Sequence, residues 1–387
     1  MQERVRRVLA LTAALALGLL PGVMRADVAV VSNDAHTVLD REANQVAAPS
    51  AAPDTVAVVD LSQFPPKVAA TVQAPGSVVG PPTSVWVAPD ENWAITTGAT
   101  RTDPAGPAGI APDDRVSVID LASSPPRVVQ QVTAGAGATT VGVSPDGSLA
   151  LVCNRAEGSV SAFAVQDKRL AASGKLDLGK QSGPSGLVFS HDGKAALVSR
   201  NFDNQITLLQ INGTQLEVDK RPLTAGVAPY TMDIAADGKL AAVSNMGRGN
   251  GDVDTVSLID MTASPIRVVE TVSVGLSPEG LKFSPDGKFL AVGTQDGTTK
   301  PPNSPFFHQH GTLVLLAVKG SHLEKVAEAP TGRWSQGIAF SRDGKVILVE
   351  NMVERELSVF HWDGQHLAGA APLPMGAGPA GIGTAWP

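Results

Sequence analysis

Two carboxylates, two arginines and a pair of histidines are the residues of this chain whose type and setting could do chemistry. Glu350 ends the apolar run Val346-Ile347-Leu348-Val349, where parallel segments carry Ser or Cys. A carboxylate on such a run calls for a partner, either a cation or an arginine. Glu279 opens the preceding segment and could reach the same place. Together the two could serve as acid and base or bind a metal, with an ion pair to an arginine as the structural alternative. Arg155 follows Asn154, and Arg200 replaces the asparagine found at 154, 245 and 351. A pair of guanidinium groups suits a carboxylate-bearing ligand. His308 and His310 flank Gln309 and would share one face of a strand, where they could hold a divalent metal. Trp334 and Tyr230 stand where they could stack on a ligand, although packing is the commoner use of such rings.

These residues are fixed to a repeat. Its clearest line is Gly142-Val143-Ser144-Pro145-Asp146-Gly147 followed by Ser148-Leu149-Ala150-Leu151-Val152-Cys153-Asn154, with further copies from Phe189, Ile234, Phe283 and Phe340 and a degenerate one from Val87. The turn aspartate recurs at 90, 146, 192, 237, 286 and 343, a spacing typical of propeller blades. Asp-Gly between two apolar runs predicts a hairpin with a two-residue type I′ turn. A second strand pair follows in each unit, such as Val116-Ser117-Val118-Ile119-Asp120 with Arg127-Val128-Val129, and the Pro-containing link between them suits a turn. Four antiparallel strands per unit make a blade. The N-terminal unit lacks its first strand, and Gly378-Pro379-Ala380-Gly381-Ile382-Gly383 supplies one like Gly183-Pro184-Ser185-Gly186-Leu187-Val188. The expectation is an all-β, seven-bladed β-propeller of four-stranded antiparallel blades over 27–387, closed by the C-terminal strand joining the N-terminal blade.

The second strand of the hairpin ends in Val-Val-Ser-Asn at 30–33, Leu-Val-Cys-Asn at 151–154, Ala-Val-Ser-Asn at 242–245 and Leu-Val-Glu-Asn at 348–351. These endings resemble the YVTN-type repeat of the lactonase-like seven-bladed propellers. The resemblance spans the whole body of the chain and implies fold more sharply than function, because related propellers include lactone hydrolases, surface-layer components and redox-associated proteins. The aligned positions Asn33, Gly98, Asn154, Arg200, Asn245, Thr294 and Asn351 are expected on one rim of the channel. There Asn154, Asn245 and Asn351 either contact a ligand or hold the local turn through their own backbone. Three long segments, Asp34 to Pro53, Ala99 to Asp113 and Gln295 to Phe307, follow that same position and should rise on one face.

Composition narrows the partners. The net charge is −7 and no basic run occurs, which excludes nucleic acid as the expected partner. Arg4, Arg6 and Arg7 precede the apolar stretch Val8 to Leu20, and Ala26 offers a cleavage position. Residues 1–26 therefore read as a signal peptide, with a periplasmic or secreted body and no membrane span in the mature chain. The single cysteine, Cys153, forbids an internal disulfide. No Cys-x-x-Cys-His for covalent haem, no nucleotide loop and no Gly-x-Ser-x-Gly elbow is present. The first functional expectation is a small molecule or protein bound on the long-loop face. A lactonase-like hydrolase is the alternative, and an accessory to a periplasmic redox system the third.

Overall fold

Each Asp-Gly segment closes a hairpin, though not with the two-residue turn the dipeptide suggests. In the hairpin joining Ala138–Val143 to Leu149–Asn154, Gly147 donates its N–H to the Ser144 carbonyl and Ser144 donates to Leu149 O, both at 2.8 Å. Gly147 alone of the central residues has positive φ, at 73°, so the loop is a type I turn followed by a left-handed glycine. The aspartate is needed for a different reason. Asp146 Oδ1 accepts the Ser148 N–H at 3.0 Å and the Ser144 hydroxyl at 2.6 Å, which ties the two ends of the turn together.

The computed structural model describes residues 27–385, so the leader read at 1–26 lies outside the described residues. Their regular structure is all β, arranged as seven four-stranded antiparallel blades. Blade 1 orders Gly378–Thr384, Val28–Asp34, Thr55–Asp60 and Lys67–Gln73 from the inside out. The inner strands of blades 2 to 7 are Val85–Val87, Ala138–Val143, Pro184–Phe189, Pro229–Ile234, Pro278–Phe283 and Ser335–Phe340. Closure is as expected, with Ala29 opposite Thr384 and Asp34 opposite Gly378.

Second strands are apolar without alternation because both faces of each sheet pack on a neighbouring blade. Leu149, Leu151 and Cys153 of blade 3, for example, meet Leu187, Phe189 and Ala196 of blade 4. Outer strands such as Lys67–Gln73 instead turn most residues to solvent.

The repeat ending now has a structural meaning. Every inner strand of blades 3 to 7 is bulged near its start, which leaves peptide groups without a ladder partner. In blade 4, Ser199 Oγ accepts the bulge N–H of Gly186 at 2.7 Å and donates to Tyr230 O of blade 5 at 2.5 Å. Ser244 repeats this between Thr231 and Glu279. The asparagine that follows ties down the link from the previous blade. Asn154 Oδ1 accepts the Gly135 N–H, Asn351 Oδ1 that of Gly332, and their amide groups donate to Ser159 and Ser358. A Cβ at Gly135 or Gly332 would lie under 3 Å from the asparagine side chain. Glycine is therefore paired with asparagine in space.

Candidate functional site

The ends of the second strands and the starts of the inner strands face the same mouth of the central channel. All three long loops rise there, as expected. The first carries a hairpin, Thr37–Leu39 with Gln45–Ala47, and the second carries Thr100–Thr102 with Ile110–Pro112. The two are joined by Ala47 N donating to Ala108 O at 2.8 Å. Under them lies a cavity of about 470 Å³, walled by Leu39 and Gln45 of the hairpin and by Arg155, Tyr230, Arg248, Glu279, Gln295, Lys300 and Trp334.

Arg155 leaves the end of blade 3 and points over the channel. Its guanidinium carbon sits 4.7 Å from the Phe202 ring centre and 5.6 Å from that of Tyr230, a cation–π arrangement that holds charge without neutralising it. Nη2 donates to Asn201 Oδ1 at 2.9 Å, while buried Nε has no partner. No carboxylate pairs with Arg155, Arg248 or Lys300 among the described residues, although Arg248 donates to Asn204 Oδ1 at 3.2 Å. Three cations around one mouth without counter-ions make an anion-attracting field.

Glu279 is the carboxylate of that cavity. It is 3% exposed and accepts from Gln295 Nε2. Burial pushes its carboxyl up to about 8, against the pull of the Gln295 and Gln336 amides and of Arg155. The Tyr230 phenol is also pushed up by burial. A carboxyl that exchanges its proton near neutrality, beside an unneutralised arginine, is equipped for proton transfer to and from a carbonyl compound.

The other residues singled out in the sequence lie elsewhere. Glu350 does not line the cavity. It is buried in the channel wall, where Oε2 accepts Gly337 N at 2.8 Å and Oε1 accepts Gly381 N at 3.0 Å. Two peptide groups, and not an arginine, are its partners, so the expected ion pair is replaced by backbone donors. Burial pushes the Glu350 carboxyl up to about 8, and the nearby charge of Glu279 adds to the rise. Arg200 turns back onto its own loop, with Nε and Nη2 on the Asp203 carboxylate and Nη1 on Thr207 Oγ1. Asn154, Asn245 and Asn351 are buried inside their blades. Trp334 touches the cavity but is 2% exposed and packs on Val78, Met352 and Ala380. His308 and His310 stand exposed in a segment that is not a strand, with the His308 ring against the Asp296 carbonyl at 2.7 Å. Arg248, Lys300 and Gln295 were not singled out in the sequence, although Gln295 and Lys300 belong to the long segment Gln295 to Phe307 expected on this face. The signal that could have found them is that each lies within six residues after a second strand.

At the opposite mouth the channel is an apolar funnel of about 350 Å³ walled by residues such as Val141, Leu187, Met232 and Ile338. Asp233 and Lys282 there pair with each other at 2.9 Å. The chemistry gathers on the long-loop side.

Residues 111–301 match the family described as Lactonase, 7-bladed beta-propeller. Similar solved structures include the periplasmic gluconolactonase of Pseudomonas aeruginosa, at 19% identity over 92% of this chain and 98% of that one, with a TM-score of 0.69. A second is a putative 6-phosphogluconolactonase from Bacteroides uniformis, at 16% identity over 93% and 99%, TM-score 0.68. A third is the hydrazine synthase of Kuenenia stuttgartiensis, at 20% identity over 80% and 91%, TM-score 0.62. At these identities the shared property is the fold. No curated protein matches the chain in sequence. The chain is a seven-bladed propeller that resembles this lactonase family over residues 111–301.

Proposed function

We propose that this chain is an exported hydrolase of small lactones that carry an anionic group, acting at the long-loop mouth. The observation that carries the reading is Glu279, a buried carboxyl with its proton equilibrium near 8, in one cavity with Arg155, which forms no salt bridge among the described residues. The family match and the arginine-led apolar run before Asp27 support it further. Arg248 and Lys300 at the rim would draw in the anionic group.

In this reading ionised Glu279 takes a proton from a water molecule as that water attacks the lactone carbonyl carbon. The carbonyl electron pair moves onto its oxygen, and Arg155 stabilises the resulting oxyanion. Collapse of the tetrahedral intermediate breaks the ring C–O bond. The leaving alkoxide takes the proton back from Glu279, and the hydroxy acid departs. Such a proton carrier contributes roughly 10²–10⁴ in rate.

A panel of neutral and anionic lactones tests this. Glu279→Gln should lower kcat by about 10²–10⁴ with the melting temperature preserved. Because the base must be ionised and its carboxyl sits near 8, kcat/KM should climb with pH and level off above that value. Thermal shifts by the same compounds without hydrolysis would assign the cavity to binding alone. Full activity in Glu279→Gln would remove this residue from the mechanism.

A further inference from the structure

At the root of the first mouth loop, on neither wall of the cavity just described, Asp34, His36 and Asp54 converge. Asp34 ends the second strand of blade 1 and Asp54 precedes the third, so the two carboxylates are the two ends of the loop. His36 Nδ1 lies 2.9 Å from Asp54 Oδ1 and 3.1 Å from Asp34 Oδ1. One ring nitrogen carries at most one proton, which can serve one of the two oxygens well. The charges do not close either. Two carboxylates leave −2 with a neutral ring and −1 with an imidazolium, around side chains that are 1% (Asp34) and 3% (His36) exposed. Buried charge of this kind is costly without compensation. The guanidinium groups that border the adjoining cavity are engaged elsewhere, Arg115 with Asp113 and Arg101 with the Pro112 carbonyl.

A divalent cation at the shared point would bring the charge to zero with the ring neutral. The outer contacts suit that arrangement. His36 Nε2 lies 3.1 Å from Thr100 Oγ1, which in turn contacts Ser77 Oγ at 2.7 Å. With the ring proton on Nε2, Nδ1 is free to ligate, the usual way a second hydrogen bond orients a metal-binding histidine. Backbone donors hold both carboxylates in place: His36, Thr37 and Val78 N–H on Asp34, and Ala35 and Gly76 N–H on Asp54. A cavity of about 330 Å³ bordered by His36 and Asp54 gives access and room for a water ligand. Three protein ligands with one open position is the arrangement of many zinc centres.

We infer that Asp34, His36 and Asp54 form a site for a divalent transition metal of the zinc class. One imidazole and two carboxylates suit Zn²⁺ and its neighbours better than Ca²⁺ or Mg²⁺, which prefer all-oxygen sets. Bound there, the ion would clamp the two ends of the loop whose hairpin supplies Leu39 and Gln45 to the mouth. The inference stands independently of the hydrolase reading.

The test uses the mature chain, stripped with chelator and titrated with Zn²⁺ by calorimetry, and with Co²⁺ by visible absorption. One equivalent of Zn²⁺ should bind wild type and the His308→Ala/His310→Ala variant alike. His36→Gln and Asp54→Asn should lose that equivalent together with the Co²⁺ d–d bands. If either variant fails to fold, Thr100→Val serves instead, and losing the outer contact should weaken binding roughly 10- to 100-fold. The inference is overturned if wild type takes up no metal, if the equivalent persists in the folded His36 and Asp54 variants or is undiminished in Thr100→Val, or if it vanishes with His308 and His310.

Discussion

Glu350 does with a carboxylate what serine does in the blades before it. Where Ser199 and Ser244 meet the next inner strand, that strand presents a carbonyl, and a hydroxyl can donate to it. At the junction of blades 7 and 1 the neighbour presents the N–H of Gly381, so the side chain must accept twice. Glu350→Gln would turn an amide NH₂ towards a peptide N–H, at a cost of about 1–3 kcal/mol. The effect depends on pH with a definite sign. The folded carboxyl sits near 8, above its ordinary 4.5, so the native state holds the proton more tightly than the unfolded chain. Stability from this group is therefore present at low pH and lost as pH rises towards 8. Melting curves from pH 5 to 8.5 should show the advantage of wild type over Glu350→Gln shrinking as pH climbs. A variant as stable as wild type at pH 5, or a constant gap, would contradict this account. The sequence demands a partner for Glu350 but cannot name one, since peptide groups occur in every residue and only the fold selects two of them.

At the level of the blade, residues that repeat and residues that depart from the repeat have opposite uses. Asn154 is buried and holds Gly135 N–H together with the Ser159 and Ser161 hydroxyls. Arg200, at the matching place, makes a partly exposed ion pair with Asp203. Asn154→Ala should then cost about 1–3 kcal/mol in chemical denaturation, and Arg200→Ala no more than about 1 kcal/mol. Equal losses would mean that the asparagine has been misread. Strand order and hairpin placement were legible because Asp-Gly and the apolar runs are local signals. The turn type was not, because it depends on how Asp146 bonds its neighbours and not on the dipeptide. Arg155 was legible at the mouth as the residue just past a repeat ending. Arg248 and Lys300 were not, for neither occupies a repeat position, although the segment that carries Lys300 was expected on that face.

Seven units, one of them split between the two ends, give the ring, and the seam is where its integrity can be probed. Removing the residues after Gly376 takes away Gly378–Thr384, exposes the edge of Val28–Asp34 and strips Glu350 of the Gly381 donor. The truncated chain should melt well below the full one; an unchanged melting temperature would refute closure by this strand. Closure was readable from sequence because a missing element at one end matched a surplus at the other, whereas the separation of a cationic mouth from an apolar one was not, since both are built by the same inner strands. The seam also acts as a clock. Its two strands are the first and the last of the body to leave the ribosome, yet they are immediate neighbours in the sheet. However far synthesis has run, the growing chain keeps an open edge until Gly378–Thr384 is free. For that whole interval the first strand is a ready partner for stray strands, so the hazard of misassociation falls on the unfinished molecule and ends when the closing strand pairs.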